Sequence, residues 1–135
     1  MSVQLKADIL AAARELGFEP VGCSEPVIGP TYQAAYRQWL ALGFAGTMTY
    51  LGRHLDKRLD PCVLVPEART VLCVGLNYFQ TSSAANIGGG RIARYAWGQD
   101  YHRVVKDRLG CLAARIHAIV GRDVTRRSFV DSGPV

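Results

Sequence analysis

The sequence predicts an α/β fold, a small sheet flanked by helices, from two observations. Apolar residues recur at three- and four-residue steps in several segments, and short apolar, β-branched runs fall between them, giving the order helix, strand, helices, strand, helix, strand. With 135 residues, 49% apolar and 20% charged, the chain has the length of one ordinary domain able to bury a core, so residues 1–135 are read as a single domain. Disordered and fibrous classes are excluded on composition. No apolar run approaches the roughly 18 to 20 residues that span a bilayer, and no basic head followed by an apolar stretch opens the chain. The expected location is therefore cytoplasmic, with no membrane partner.

Leu5, Ile9, Ala12, Ala13 and Leu16 form one stripe, with Lys6, Asp8, Arg14 and Glu15 off it, which predicts an amphipathic helix ended by Gly17. Pro20 to Cys23 is a short strand, and Glu25 to Pro30 a loop, because its two prolines remove donors and fix the backbone. A second helix covers Tyr32 to Leu42, closed by Gly43 and Gly46. Met48, Leu51, Leu55 and Leu59 extend a helical pattern from Thr47 to Leu59, with Lys57 and Arg58 suiting the negative end of its dipole. Cys62 to Ala68, between Pro61 and Pro66, is a turn-rich bridge. Thr70 to Leu76 is the best strand, suited to burial on both faces. Thr81 to Gly90 reads as a flexible loop; its three glycines lack the companions of a phosphate-binding motif. Val105, Leu109, Leu112, Ile116 and Ile119 define a long helix ended by Gly121. Thr125 to Asp131 is expected to be a third strand, followed by a turn at Ser132, Gly133 and Pro134. Three strands make a small sheet, incomplete at the C-terminus.

Cys23, Cys62, Cys73 and Cys111 include no CxxC pair, so they read as reduced, buried thiols and not as metal or cluster ligands. The net charge of +5 is uneven. Residues 1–90 carry seven basic and seven acidic side chains, whereas residues 91–127 carry nine basic against three acidic, a local +6. That asymmetry suits a surface facing nucleic acid or phosphate, or equally a solvated helix face.

Between the Gly-rich loop and the long helix, residues 91–102 bring together two arginines, three aromatic residues, an aspartate and a histidine. A core has use for the aromatics but not for so many polar groups, which cost free energy if buried unpaired; a loop holding a flat ligand or stacked bases uses both. Asp100 reads as the cap of the following helix, and His102 as a surface or packing residue. Asp131, where an apolar strand passes into a Gly-Pro turn, is either a turn-forming residue or a carboxylic acid at a pocket rim.

Three motifs in order resemble the N-terminal part of the tRNA epoxyqueuosine reductases: Lys57-Arg58 followed by Pro61 and Leu64-Val65-Pro66; Arg94-Tyr95-Ala96-Trp97-Gly98-Gln99-Asp100-Tyr101-His102; and Phe129 to Val135. Leu16-Gly17-Phe18 and the strand end Asn77-Tyr78 are similar too, so the resemblance covers essentially the whole chain. It implies a domain related to nitroreductase-like and cobalamin-processing folds, and an oxidoreductase that removes the epoxide oxygen of epoxyqueuosine at the tRNA wobble position, the last step of queuosine formation. Its cofactor would be cobalamin. By the same resemblance Asp131 is the proton donor, Arg58 contacts the phosphate or an amide of the cobalamin tail, and Ala93 contacts the corrin through its backbone. Arg94, Tyr95, Tyr101 and His102 belong to the same cofactor motif. An alkoxide leaves poorly unless protonated, and an aspartate can protonate it near neutral pH only where partial burial raises its pKa.

The cobalt-ligating DxHxxG pattern fails after His102, so no protein ligand to the metal is expected. The family continues into a ferredoxin-like segment holding [4Fe-4S] clusters that feed electrons to cobalt, and this chain has no such cysteine motifs. It is therefore read as an N-terminal fragment, inactive alone, whose partners are the iron–sulfur domain as electron donor and tRNA through segment 91–127. Two other readings fit the residues: a non-catalytic module for a corrinoid or flavin-like ligand, and a basic tRNA-binding domain.

Overall fold

The elements follow from where the chain's apolar stripes begin and end. The computed structural model describes residues 2–79, 81 and 92–131. In chain order they are α1 (Val3–Glu15), β1 (Val21–Ser24), α2 (Pro30–Ala41), a 3₁₀ turn (Thr49–Gly52), α3 (Leu55–Leu59), α4 (Pro61–Leu64), β2 (Val71–Val74), a second 3₁₀ turn (Arg94–Ala96) and α5 (Tyr101–Val120). They fall into two units, residues 1–22 with 72–124 and residues 23–71 with 125–135. The α/β class expected from the sequence is the one observed.

In the first unit, α1 starts where the Ser2 hydroxyl accepts from the Leu5 N–H at 3.2 Å. It ends in a Schellman motif: Gly17, at φ +80°, donates to the Arg14 carbonyl at 2.8 Å, and Phe18 donates to that of Ala13 at 3.2 Å. This reversal turns Phe18 back onto the helix, where it joins Ala12, Ala13 and Leu112 in a core flanked by Leu16, Val21, Leu72, Val74, Leu76, Val105, Leu109 and Ile116. The Arg108 guanidinium donates to the Leu16 carbonyl at 3.3 Å, and Arg115 pairs with Glu15, so α5 is tied to both sides of the end of α1.

β1 and β2 pair as a two-stranded antiparallel sheet. Beyond it, the Gly75 carbonyl accepts from Glu19 N–H and its own N–H donates to the Pro20 carbonyl, both at 2.8 Å. A Cβ on Gly75 would lie 2.8 Å from Pro20 Cδ and 3.2 Å from the Glu19 carbonyl oxygen. A proline ring and backbone cannot yield as a long side chain can. Gly75→Ala is therefore expected to destabilise the fold by about 1–3 kcal/mol, read from the urea midpoint; an unchanged midpoint would show that the strand ends part freely.

In the second unit, α2 begins at Pro30, whose missing N–H costs nothing in the first turn. The Tyr36 hydroxyl donates to the Leu51 carbonyl at 2.9 Å, and its ring stacks on Trp39 at 5.9 Å. Four expectations are corrected. The helix expected over Thr47 to Leu59 is broken into the 3₁₀ turn and α3 by His54, which adopts left-handed backbone at φ +52°. Thr125 to Asp131 is irregular, because an apolar run becomes a strand only by pairing, and no described segment pairs with it. β2 is not covered on both faces, since Cys73 is exposed. All four cysteines are free as expected, but none is fully buried: Cys111 is exposed as well, and Cys23 and Cys62 are half-buried. The glycine-rich expectation at residues 82–90 and the turn at Ser132, Gly133 and Pro134 lie outside the described residues, as does Arg91. Among the described residues no helix is long and apolar enough to cross a membrane.

Candidate functional site

The first unit gathers an exposed cluster of rings and cations where β2 runs out and α5 begins. The Asn77 carboxamide oxygen accepts from the Phe79 N–H at 2.8 Å, a local turn that follows the strand and sets out Tyr78 and Phe79. From the other side, the 3₁₀ turn at Arg94–Ala96 follows Ala93, whose extended backbone accepts from the Ala96 N–H at 3.0 Å. The Arg94 guanidinium lies over the Phe79 ring at 4.6 Å. Tyr95 meets Tyr78 edge-on at 6.4 Å and Tyr101 edge-on at 5.9 Å, and Tyr101 stacks on His102 at 4.1 Å. Trp97 closes the turn by donating from its indole to the Ile92 carbonyl at 3.1 Å. Arg94, Tyr95, Tyr101 and His102 are thus brought together as the sequence suggested. The sequence reading did not single out Phe79 or the ring of Tyr78; two aromatics directly after a strand-ending asparagine were the available signal.

Asp100 caps α5 as expected. Its carboxylate accepts from the His102 N–H at 3.0 Å and meets His102 Nδ1 at 2.8 Å. The side-chain bond to His102, and then the backbone bond, hold the Asp100 carboxyl below its ordinary value. A lowered folded pKa stabilises the protein above the ordinary carboxylate pKa, and this is lost as pH falls through the lowered value. Asp100→Asn is therefore expected to melt slightly lower than wild type near neutral pH and to converge with it in acid. Thermal melts of both proteins across pH check this; a gap that persists undiminished in acid would exclude the ionised cap as its cause.

The second unit holds the other two expected residues. Arg58 is half-buried in the last turn of α3, and its Nε is buried with no hydrogen-bond partner among the described residues. Asp131 is exposed, not partly buried as the proton-donor expectation required, and sits in a bend with left-handed backbone at φ +51°. Nearby in sequence, the Arg127 guanidinium lies over the Phe129 ring at 5.2 Å. Burial, followed by the charge and hydrogen bond of Asp60, pushes the Cys62 thiol pKa up, away from reactivity. Among the described residues no group of three or more His, Cys, Asp or Glu side chains could hold a metal ion.

These features define an α/β domain that presents aromatic and cationic side chains beside a capped helix. The family described as epoxyqueuosine reductase QueG, DUF1730, matches residues 58–132, which takes in Arg58, the aromatic cluster's 3₁₀ turn and Asp131. The chain is 43% identical to the epoxyqueuosine reductase of Xanthomonas campestris pv. campestris, over 96% of this chain and 38% of that protein. Its fold matches an epoxyqueuosine reductase crystallised with an epoxyqueuosine-modified tRNA-Tyr stem loop, with a TM-score of 0.83 at 24% identity over 97% of this chain and 35% of the other. It also matches the Bacillus subtilis epoxyqueuosine reductase with an aspartate-bearing catalytic loop swung out of its active site, at a TM-score of 0.71 and 23% identity over 85% of this chain and 32% of the other. The chain belongs to the epoxyqueuosine reductase QueG family, and it spans about two-fifths of the length of the relatives it matches.

Proposed function

We propose that this chain is the cobalamin-binding domain of a cytoplasmic tRNA epoxyqueuosine reductase, one domain over residues 1–135 of a longer protein. The observation that carries this reading is the 43% identity to a protein of that name across 96% of the chain. The overall reaction takes an epoxide, two electrons and two protons to an alkene and water, at the wobble nucleoside of tRNA. Bound cobalamin would supply the electron pair, replenished by the iron–sulfur domain of the longer protein. The 135 residues alone are expected to bind ligand without turnover.

The residues present fit that group. The buried Arg58 Nε, without a partner among the described residues, is a donor that a phosphate or amide of the cobalamin tail would satisfy, since a buried donor left unpaired is costly. Ala93 offers extended backbone beside Arg94, Tyr95, Tyr101 and His102, where a corrin edge would lie. Asp131 is assigned the delivery of a proton to the departing epoxide oxygen, a role that needs its carboxyl covered once substrate is bound. A movable aspartate loop in the Bacillus subtilis relative supports a role for an exposed Asp131 on a bend that closes with substrate bound. The local +6 of residues 91–127 suits the approach of a tRNA backbone.

Titrating the folded chain with cobalamin and following the visible spectrum tests the reading. A saturable shift is expected, and Arg58→Ala should weaken it about ten-fold, the scale of one charge-assisted hydrogen bond. A folded protein that gives no shift would overturn the cofactor assignment.

A further inference from the structure

Tyr78, Phe79 and Tyr95 are 61%, 61% and 51% exposed, a continuous aromatic surface left open to water. It is not loose: Arg94 lies over Phe79, Tyr95 bridges Tyr78 to Tyr101, and the Asn77 turn fixes the backbone that carries Phe79. Rigid rings cost little entropy when they bind. A partner protein segment would find a cationic rim here, because Arg94 belongs to the cluster and residues 91–127 carry nine basic against three acidic side chains. Exposed rings held under a guanidinium in a positive field instead match unpaired nucleotides, whose bases stack on aromatics while their phosphates meet cations. A base-paired helix hides its base faces and offers only its backbone.

We propose that Tyr78, Phe79 and Arg94 form a stacking platform for unpaired nucleotides of an RNA loop, adjoining the cofactor residues and sharing Arg94 with them. Phe79 and Tyr78 present ring faces to one or two bases, and Arg94 holds the adjoining phosphate. This deepens the function proposed above and rests on it for the identity of the RNA as a tRNA anticodon loop; the preference for single strands stands on the cluster alone.

The test is fluorescence anisotropy of the 135-residue chain with a labelled seven-nucleotide single-stranded RNA and with a duplex RNA of equal charge, across a salt series. The single strand is expected to bind more tightly. Phe79→Ala and Tyr78→Ala should each weaken it by roughly ten-fold, the scale of one stacked base, with the salt slope unchanged. Arg94→Ala should reduce that slope by about 0.7, one phosphate contact. Phe79→Leu keeps apolar bulk and removes the ring face, so wild-type affinity in that variant would overturn stacking even if Phe79→Ala misfolds. Equal affinity for single strand and duplex, or rings that matter only to self-association, would also overturn it. Cobalamin titration of Phe79→Ala runs alongside and should be unchanged. A cobalamin shift without strand preference defeats this proposal alone, whereas strand preference without a cobalamin shift defeats the cofactor assignment alone.

Discussion

Asp131→Asn, made in the longer protein that carries this domain, is expected to slow epoxide removal by roughly two to four orders of magnitude, the contribution of one positioned acid, while cobalamin still binds. The argument starts from the leaving group. An epoxide oxygen departs as an alkoxide unless a proton reaches it as the bond breaks, and a carboxamide has no acidic proton to give. The substitution is also conformationally mild. Asp131 sits at φ +51°, a region where Asp and Asn are both several-fold enriched, so the backbone of the bend tolerates the change that removes the acid. Asp131→Glu keeps the acid on a longer arm and should recover part of the rate. Single-turnover conversion of epoxyqueuosine-modified tRNA, with the cobalamin spectrum recorded in parallel, separates chemistry from binding. A full rate in the asparagine variant would remove Asp131 from its role and leave its bend as a turn-forming feature only.

The features that local chemistry determines could be read from the sequence. Gly17, Asp100 and Gly121 bound their helices because capping depends on residues a few positions apart, and all three do so in the structure. The break at His54 could not be read, since the apolar spacing of Met48, Leu51, Leu55 and Leu59 runs on past the residue whose backbone turns left-handed at φ +52°. The expected third strand failed for a related reason: Thr125, Phe129 and Val130 suit a strand over Thr125 to Asp131, but a ladder needs a partner remote in sequence. The site divides the same way. Arg94 to His102 is contiguous, so its residues stand out as one motif, whereas Phe79 joins them only because the fold returns residues 92–101 to the end of β2. Arg58 was picked out by resemblance; what the structure adds is a buried Nε with no hydrogen-bond partner among the described residues.

The largest effect on stability is expected from Phe18→Ala, at about 3–5 kcal/mol. Phe18 is 1% exposed, and with Leu112 it is one of the two largest fully buried side chains among the described residues. Its neighbours cannot close the space it would leave. Ala12 and Ala13 are already small and fixed on α1, and Leu112 is held on α5, which Arg108 and Arg115 bind to the end of α1. A cavity that cannot collapse carries the full loss of contacts as well as the lost transfer energy. Domains of this size have roughly 5–15 kcal/mol in total, so the variant should be partly unfolded at 37 °C, with a urea midpoint far below wild type and a similar slope. Phe18→Leu restores most of the volume and should cost less than half as much. The comparison matters because Phe18 is also the residue through which the Schellman turn packs on its own helix. If alanine and leucine were equally damaging, the ring's shape and not its volume would hold α1, α5 and the sheet together; if alanine cost under about 1 kcal/mol, the core assigned to these elements would be wrong.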